Sequence, residues 1–271
     1  MNHEHCTMYP FRLCAIALSH LSRLTQTIVG LLLLFITLLG WSSPVQAANP
    51  VSPQFEEQVL QVIREHPEVI LESVQAYQQL VQQQLQQAQQ AFVEELKTNP
   101  QAVIGESPTT GASQSKIVMV EFSDFQCPYC ARAHKTVQRF MAKHQDQVTL
   151  TYKHYPLASI HPQAISAAKA AWAAFQQGKF WEYHDVLFTQ QEKLGESFYI
   201  ETAKGLKLNV DQFNRDRNSQ AAETAISQDI QLAESLGITG TPFFVMNGEV
   251  FTGAIELEEM EKRFTRVKQS L

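Results

Sequence analysis

The sequence predicts an α/β fold carrying a helical insertion and preceded by a long N-terminal helical extension. Three stretches predict it. Ile117 to Phe122 is a continuous apolar run with polar residues at its ends, the pattern of a strand buried on both faces. That run leads into Cys127-Pro128-Tyr129-Cys130, at the start of a segment able to form a helix to about Lys143. Near the C-terminus, Phe243 to Met246 and Glu249 to Phe251 flank Asn247-Gly248, a strong short-range hairpin signal.

The chain has 271 residues, of which 44% are apolar and 18% charged, enough for a globular domain with a sizeable core. Its net charge of −6, with no basic cluster, argues against nucleic acid as a partner. Residues 1–47 are expected to be a cleaved signal peptide. Arg12 and Arg23 precede an apolar run from Ile28 to Leu39, and Val45-Gln46-Ala47 supplies small residues for cleavage. The alternative is an uncleaved membrane anchor, since Gly30, Gly40 and Trp41 prolong the apolar stretch. Cleavage would remove Cys6 and Cys14, so that of four cysteines only Cys127 and Cys130 remain. It would also take acidic residues from 27 to 26 and basic ones from 21 to 19, a formal charge of −7.

Residues 48–109 are expected to form the helical extension. Ser52 suits an N-cap and Pro53 the first helical position. Phe55, Val59, Val62 and Ile63 recur at helical spacing up to His66-Pro67. A longer stripe then runs Ile70, Val74, Tyr77, Val81, Leu85, Ala88, Phe92, Leu96, with ten glutamines between Gln75 and Gln90. So narrow a stripe is typical of a coiled-coil seam, which a single helix cannot bury alone, and self-association is the expectation. Two other readings stay open: a stripe packed back on its own subunit or a solvated stalk, and a glutamine-rich segment that is partly disordered.

The domain expected over residues 110–271 begins after Thr98-Asn99-Pro100 and a polar Gly- and Pro-containing connection, 105–115. After the helix that starts near Cys127, Gln147 to Tyr155 alternates Val148, Leu150, Tyr152 with Thr149, Thr151, Lys153, as a second strand does. A long helical region follows, with an insertion over about 161–225: an alanine-rich helix from Ala164 to Phe175, then Phe180 to His184, Phe198 to Lys204, and Val210 to Arg217. Another helix runs from Ala221 to Leu236. Gly237 to Pro242 breaks that helix before the hairpin, and Glu256 to Val267 closes the chain as a helix. The order gives an α/β layer with one sheet face covered by the insertion.

The chemistry centres on Cys127 and Cys130. A zinc site needs four ligands, and no second cysteine pair or nearby His-x3-His supplies them, so no metal is assigned. A purely structural bridge across so short a loop removes little unfolded-state entropy. A reactive dithiol is the remaining reading. A cysteine at a helix N-terminus meets free backbone N–H groups and the positive end of the dipole, which favour thiolate. Cys127 is therefore the expected nucleophile and Cys130, one turn in and more buried, the resolving thiol. Pro128 fits the first turn and Tyr129 the variable slot. Asp124 would oppose the thiolate if it faced Cys127, and Arg132, His134 and Lys135 would favour it.

Glu121 lies in the run whose two faces are both apolar. A lone buried carboxylate is costly unless it titrates or finds a partner. It is a candidate proton acceptor for Cys130 when a mixed disulfide resolves, or else a strand-end carboxylate that reaches water.

Cys127-Pro128-Tyr129-Cys130 after an apolar strand, with Gly240-Thr241-Pro242 before a hairpin, resembles the thioredoxin-fold DsbA family of exported thiol:disulfide oxidoreductases. The resemblance covers roughly Lys116 to Leu271. Lys153 to Leu157, His161-Pro162 and Gln177 to His184 look like the segments around that family's helical insertion. It implies a cis-proline at Pro242, preceded by Thr241, next to the dithiol; a strand of substrate peptide would pair there. The family's acidic residue six positions before the first cysteine matches Glu121. Pro128 and Tyr129 between the cysteines, with Thr241, are closer to DsbG-like and ScsC-like members, and Phe55 to Val81 looks like the N-terminal extension through which such members dimerise or trimerise.

The resulting expectation is an exported, periplasmic thiol:disulfide oxidoreductase, or a membrane-anchored one if the leader persists. It would act without a cofactor through a mixed disulfide on Cys127. Cysteine-containing exported proteins would be its substrates, and a redox partner protein would re-oxidise or reduce the dithiol. Oxidase and oligomeric isomerase or reductase use the same attack and differ in redox poise. An alternative of another class is a client-binding chaperone with an incidental dithiol.

Overall fold

The computed structural model describes residues 52–271; the expected leader, with Cys6 and Cys14, lies outside the described residues. The chain divides into two units at Ile70/Leu71. In the first, helix α1 (Pro53–Glu65) starts as the sequence predicts, Ser52 Oγ accepting the Phe55 N–H, and buries none of its side chains. Helix α2 (Pro67–Thr98) begins after His66.

The second unit holds a five-stranded mixed sheet in the order β1-β3-β2-β4-β5. Its strands are β1 (Thr109–Gly111), β2 (Ile117–Ser123), β3 (Val148–His154), β4 (Phe243–Met246) and β5 (Glu249–Thr252). β2 and β3 run parallel around helix α4 (Pro128–His144), and every other pairing is antiparallel. β2 is buried along its whole length, as its sequence demands. Ile117 and Met119 pack on Ala133, Val137 and Phe140 of α4 and on Met260, Phe264 and Val267 of the last helix, α10 (Leu257–Gln269). Val118, Val120 and Phe122 face the other way.

Covering only one face with the insertion is therefore a partial account. Helices α5 (Ala164–Phe175), α6 (Phe180–Thr189), α7 (Glu196–Gly205) and α8 (Val210–Arg217) build a core with Phe125, Tyr152 and the two cysteines. Helix α9 (Gln220–Ser235) instead crosses to the opposite face, where Ala233, Leu236 and Ile238 meet Val118, Val120 and Phe122. The same face takes Leu96 and, from the short helix α3 (Pro100–Ile104), Val103 and Ile104.

The stripe on α2 thus has two fates. Its C-terminal turns pack back on the sheet: Leu96 is 1% exposed, Phe92 stands 6.5 Å from the Phe122 ring, and Gln89 Nε2 donates to Leu236 O at 2.9 Å. Leu85 packs so closely that a Cβ on Gly237, which has φ +69°, would lie 2.8 Å from Leu85 Cδ1. Upstream, Leu71, Val74, Tyr77, Leu80 and Val81 are exposed. Residues 71–109 consequently belong to the same compact unit as the sheet, because Leu96, Val103 and Ile104 are part of its core.

The 105–115 connection also contains β1, which pairs Thr109 to Gly111 with Thr151 to Thr149 of β3. Three residues carry too little periodicity to be read from sequence. β1 makes β3 an interior strand, and the segment around β1 together with α9 covers the polar side of its alternation. Thr149 Oγ1 donates to Ala112 O, and Lys153 Nζ reaches Ser107 Oγ at 2.7 Å and Asp229 Oδ1 at 3.4 Å. The Asn247-Gly248 hairpin forms as predicted, with φ of +47° and +103° at the two turn residues. Asn247 also stitches the turn to β2, its Oδ1 accepting the Val118 N–H at 2.8 Å and its Nδ2 donating to Lys116 O at 2.6 Å.

Truncating Leu96, the most deeply buried side chain of α2, is expected to cost about 2–5 kcal/mol as Leu96→Ala. Gln90→Ala, on the exposed side of the same helix, should stay within about 0.5 kcal/mol. Urea unfolding of both variants checks this, and equal midpoints would mean that α2 does not contribute to the folded unit.

Candidate active site

Strand β2 ends at Ser123, and a four-residue loop delivers Cys127 to the N-cap of α4, with Pro128 at the first helical position. The Cys127 N–H donates to Asp124 O at 3.1 Å, and Cys127 O accepts the Ala131 N–H at 3.2 Å, the first helical bond. Both thiols are free. Cys127 is 4% exposed and Cys130 fully buried, and Pro128 and Tyr129 between them face solvent. Arg132 lies over the Tyr129 ring, 4.5 Å from its centroid, which keeps that exposed ring in place.

The Thr241–Pro242 bond is cis. It brings Thr241 O within 3.5 Å of Cys127 Sγ, which donates to it in the thiol form. Thr241 is half-buried and Pro242 buried. The Cys127 pKa is lowered to about 5, chiefly by a hydrogen bond from the Cys130 thiol, with help from Thr241 and the N–H groups of Cys130 and Tyr129, against the opposing effect of burial. The helix-start N–H groups act as the sequence suggests, but the partner thiol does more. Cys130 moves the other way: burial first, then the neighbouring Cys127, push its pKa well up. One thiol is poised as thiolate and the other holds its proton.

Asp124 and His134 are engaged elsewhere. Asp124, fully enclosed, accepts from the Gln126 N–H at 2.7 Å, the Leu157 N–H at 2.9 Å and faces His161 Nδ1 at 2.7 Å. His134 faces α6.

The parallel register sets Glu121 beside Tyr152 of β3 and Phe244 of β4, on the face that α4 covers. It is 2% exposed, so it does not reach water at a strand end, and its Oε1 has no hydrogen-bond partner. Burial raises its pKa to about 7, with the Ser123 hydroxyl pulling weakly the other way. Tyr152, whose hydroxyl also lacks a partner, is pushed up by burial and then by the charges of Glu121 and Cys130. Glu121, Ser123 and Tyr152 therefore form a buried polar group behind Cys130.

Every residue singled out for the site from the sequence lies at one end of the sheet: Cys127, Cys130, Pro128, Tyr129, Thr241, Pro242 and Glu121. What sequence reasoning missed is the support. Gln191, in a 3-10 turn after α6, donates from Nε2 to Phe125 O at 2.7 Å and Cys127 O at 3.0 Å. Gln126 Oε1 accepts the Gln163 N–H at 2.6 Å. Nothing local in the sequence marks Gln191; its partner is 64 residues away.

Comparison with known proteins agrees with this geometry. The family model described as thioredoxin matches residues 103–264, and the chain belongs to that family. Its fold is that of DsbA-type thiol:disulfide oxidoreductases. A thioredoxin-like oxidoreductase from Silicibacter pomeroyi is 30% identical with a TM-score of 0.58, over 64% of this chain and 99% of that one. The thiol-disulfide exchange protein α-DsbA2 from Wolbachia pipientis has a TM-score of 0.58 at 19% identity, over 66% of this chain and 97% of that one. ScsC from Proteus mirabilis, in a transitional conformation, has a TM-score of 0.57 at 22% identity, over 83% of this chain and all of that one.

Among curated sequences, a Na(+)/H(+) antiporter NhaA 3 from Salinispora tropica is 34% identical over 150 residues, 55% of this chain and 23% of its own. The match spans about a quarter of the length of the curated relatives. No helix among the described residues is long and apolar enough to cross a membrane.

The Glu121 carboxyl ionises near pH 4.5 in the unfolded chain and near 7 when folded, so folding loses stability as pH rises between those values and the full cost is present above 7. Glu121→Gln is expected to stabilise the protein by about 3 kcal/mol at pH 8 and by little at pH 4, as measured by urea unfolding at the two pH values. A gain independent of pH would show that Glu121 is not held protonated by burial.

Proposed function

We propose that this protein is an exported thiol:disulfide oxidoreductase that exchanges disulfides with cysteine-containing proteins through a mixed disulfide on Cys127. The observation that carries the reading is the geometry of one Cys-x-x-Cys: Cys127 at the N-cap of α4 with Thr241 O 3.5 Å from its Sγ, and Cys130 buried one turn in. In the oxidising direction, a substrate thiolate attacks the Sγ of Cys127 in the Cys127–Cys130 disulfide, and Cys130 leaves and takes a proton. A second substrate thiolate then attacks the substrate sulfur of the mixed disulfide and releases Cys127 as a thiolate. The substrate gains a disulfide and the Cys127–Cys130 disulfide is reduced by two electrons to the dithiol. A redox partner protein carrying a disulfide restores it.

Because Cys127 is stable as a thiolate, it is a good leaving group and the reduced state is favoured, which makes the disulfide oxidising. Reduction runs through the same steps in reverse. There Cys130 must lose a proton before it attacks the Cys127 mixed disulfide, and Glu121, poised near neutrality on the same face, is suited to accept it. Thr241 and Pro242 would present the backbone edge to the substrate, and the exposed Pro128 and Tyr129 its apolar surface.

The purified protein should catalyse disulfide formation in a reduced, unfolded substrate in a glutathione buffer, and Cys127→Ala should abolish it. A Cys127→Ala protein as active as the parent would leave the chaperone reading instead. Glu121 belongs to the same test: Glu121→Gln should slow resolution while leaving Cys127 alkylation unchanged.

We further propose that the protein is a homodimer or homotrimer joined through its N-terminal helices, which would place several dithiols together and favour isomerisation. The support is the row of exposed apolar side chains at Leu71, Val74, Tyr77 and Val81, at the spacing of a helix–helix seam. Val74→Asp with Tyr77→Asp in the full chain should reduce the mass measured by light scattering to that of a monomer. A parent that is itself monomeric refutes the assembly.

A further inference from the structure

Away from the dithiol, α4 and α6 meet at a cluster that the redox chemistry does not use. His134 projects from α4 one turn beyond Cys130, and His184 and Asp185 project from α6. One ligand atom from each of the three lies within 4.8 Å of the other two. His134 Nε2 stands 3.5 Å from Asp185 Oδ1, and His184 Nδ1 stands 3.0 Å from the same oxygen. We propose that His134, His184 and Asp185 form a binding site for a zinc-type divalent cation that links α4 to α6.

Four features support the assignment. The first is donor chemistry: two imidazoles and one carboxylate, with a position left for water, is a recurring donor set for zinc. Ligand bonds of about 2.0–2.2 Å in a tetrahedral array place donor atoms about 3.3 Å apart, so two of the three spacings already fit. The third, between the two imidazole nitrogens, is within 4.8 Å and closes with a small rotation of a ring, while Asp185, whose side chain is 45% exposed, gives the ion a path from solvent.

The second is unmet bonding capacity. His134 and His184 are 3% and 4% exposed, and the Nε2 of each is buried with no hydrogen-bond partner. A buried nitrogen without a partner is costly, and a cation on His134 Nε2 removes that cost there. The third is placement: the two rings meet edge to face with centroids 5.0 Å apart, and Phe188 packs against both, so that α4 and α6 present their imidazoles side by side.

The fourth is the surroundings. Asp185 forms no ion pair with a lysine or arginine among the described residues. The solvent-exposed Lys135 is the opposing charge, and it is screened. His134 and His184 are 50 positions apart, so no spacing motif announces the site.

The test uses the full chain carrying Cys127→Ser and Cys130→Ser, which removes the dithiol as a competing ligand. Titration with Co2+, followed by displacement with Zn2+, should give the visible absorption of one bound ion. It should fall in His134→Gln with His184→Gln to the level set by metal taken up by His3, His5, Cys6 and Cys14. Asp185→Asn, a change at a half-exposed position that leaves the core intact, should weaken binding about tenfold or more. Zn2+ should raise the melting temperature of the parent but not of the double histidine variant. Absence of Co2+ absorption at millimolar metal, absorption no greater than that of the double histidine variant, or unchanged affinity in Asp185→Asn would each overturn the assignment.

Discussion

The two-sided burial of β2 is the constraint on which the site depends. A strand that shows no face to water has its register fixed by both layers, and a one-residue slip would reverse every side chain. In that register Glu121 falls on the α4 face, between Tyr152 and Phe244, while Val118, Val120 and Phe122 fall on the face of α9 and α2. The end of the strand then delivers the loop to α4 at a fixed height, and the cysteines inherit it. Carboxyl group and dithiol are brought together by the sheet, not by any contact near the surface.

Asymmetry between two chemically identical thiols follows from that placement. Cys127 sits where helix-start N–H groups and the Cys130 thiol all donate to it; Cys130, one turn later, sits among Tyr152, Phe125 and the alanines of α5. Electrostatic stabilisation of one sulfur and desolvation of the other act within a single turn of helix. The loop that sets this up is itself held by Asp124, whose carboxylate is shared among Gln126, Leu157 and His161 and is therefore not free to repel the thiolate.

Much of this was legible in the sequence because it is local. The apolar run of β2, the Asn247-Gly248 turn, the capping of α1 by Ser52 and the placement of Cys127 at a helix start each depend on a few adjacent residues. β1 was not legible, because three residues carry no period and its pairing partner lies about 40 residues on. For the same reason the buried half of β3 was hidden: Thr149, Thr151 and Lys153 are polar, and only the covering segment removes them from water. The α2 stripe reads as one continuous pattern, and periodicity reports a face without saying what covers it, so its division between Val81 and Leu85 was invisible. At the candidate site, the residues that the sequence singled out come together and their supports were not legible, since Gln191, Gln163 and His161 act through bonds to partners 37 or more residues away.

The two bonds from Gln191 give the helical insertion a role beyond covering the sheet. A single amide grips the carbonyls of Phe125 and Cys127 from a turn that belongs to the insertion. The backbone that carries the attacking sulfur is thereby referenced to the insertion as well as to the strand beneath it. Any displacement of that layer is therefore felt at the Cys127 backbone through one side chain.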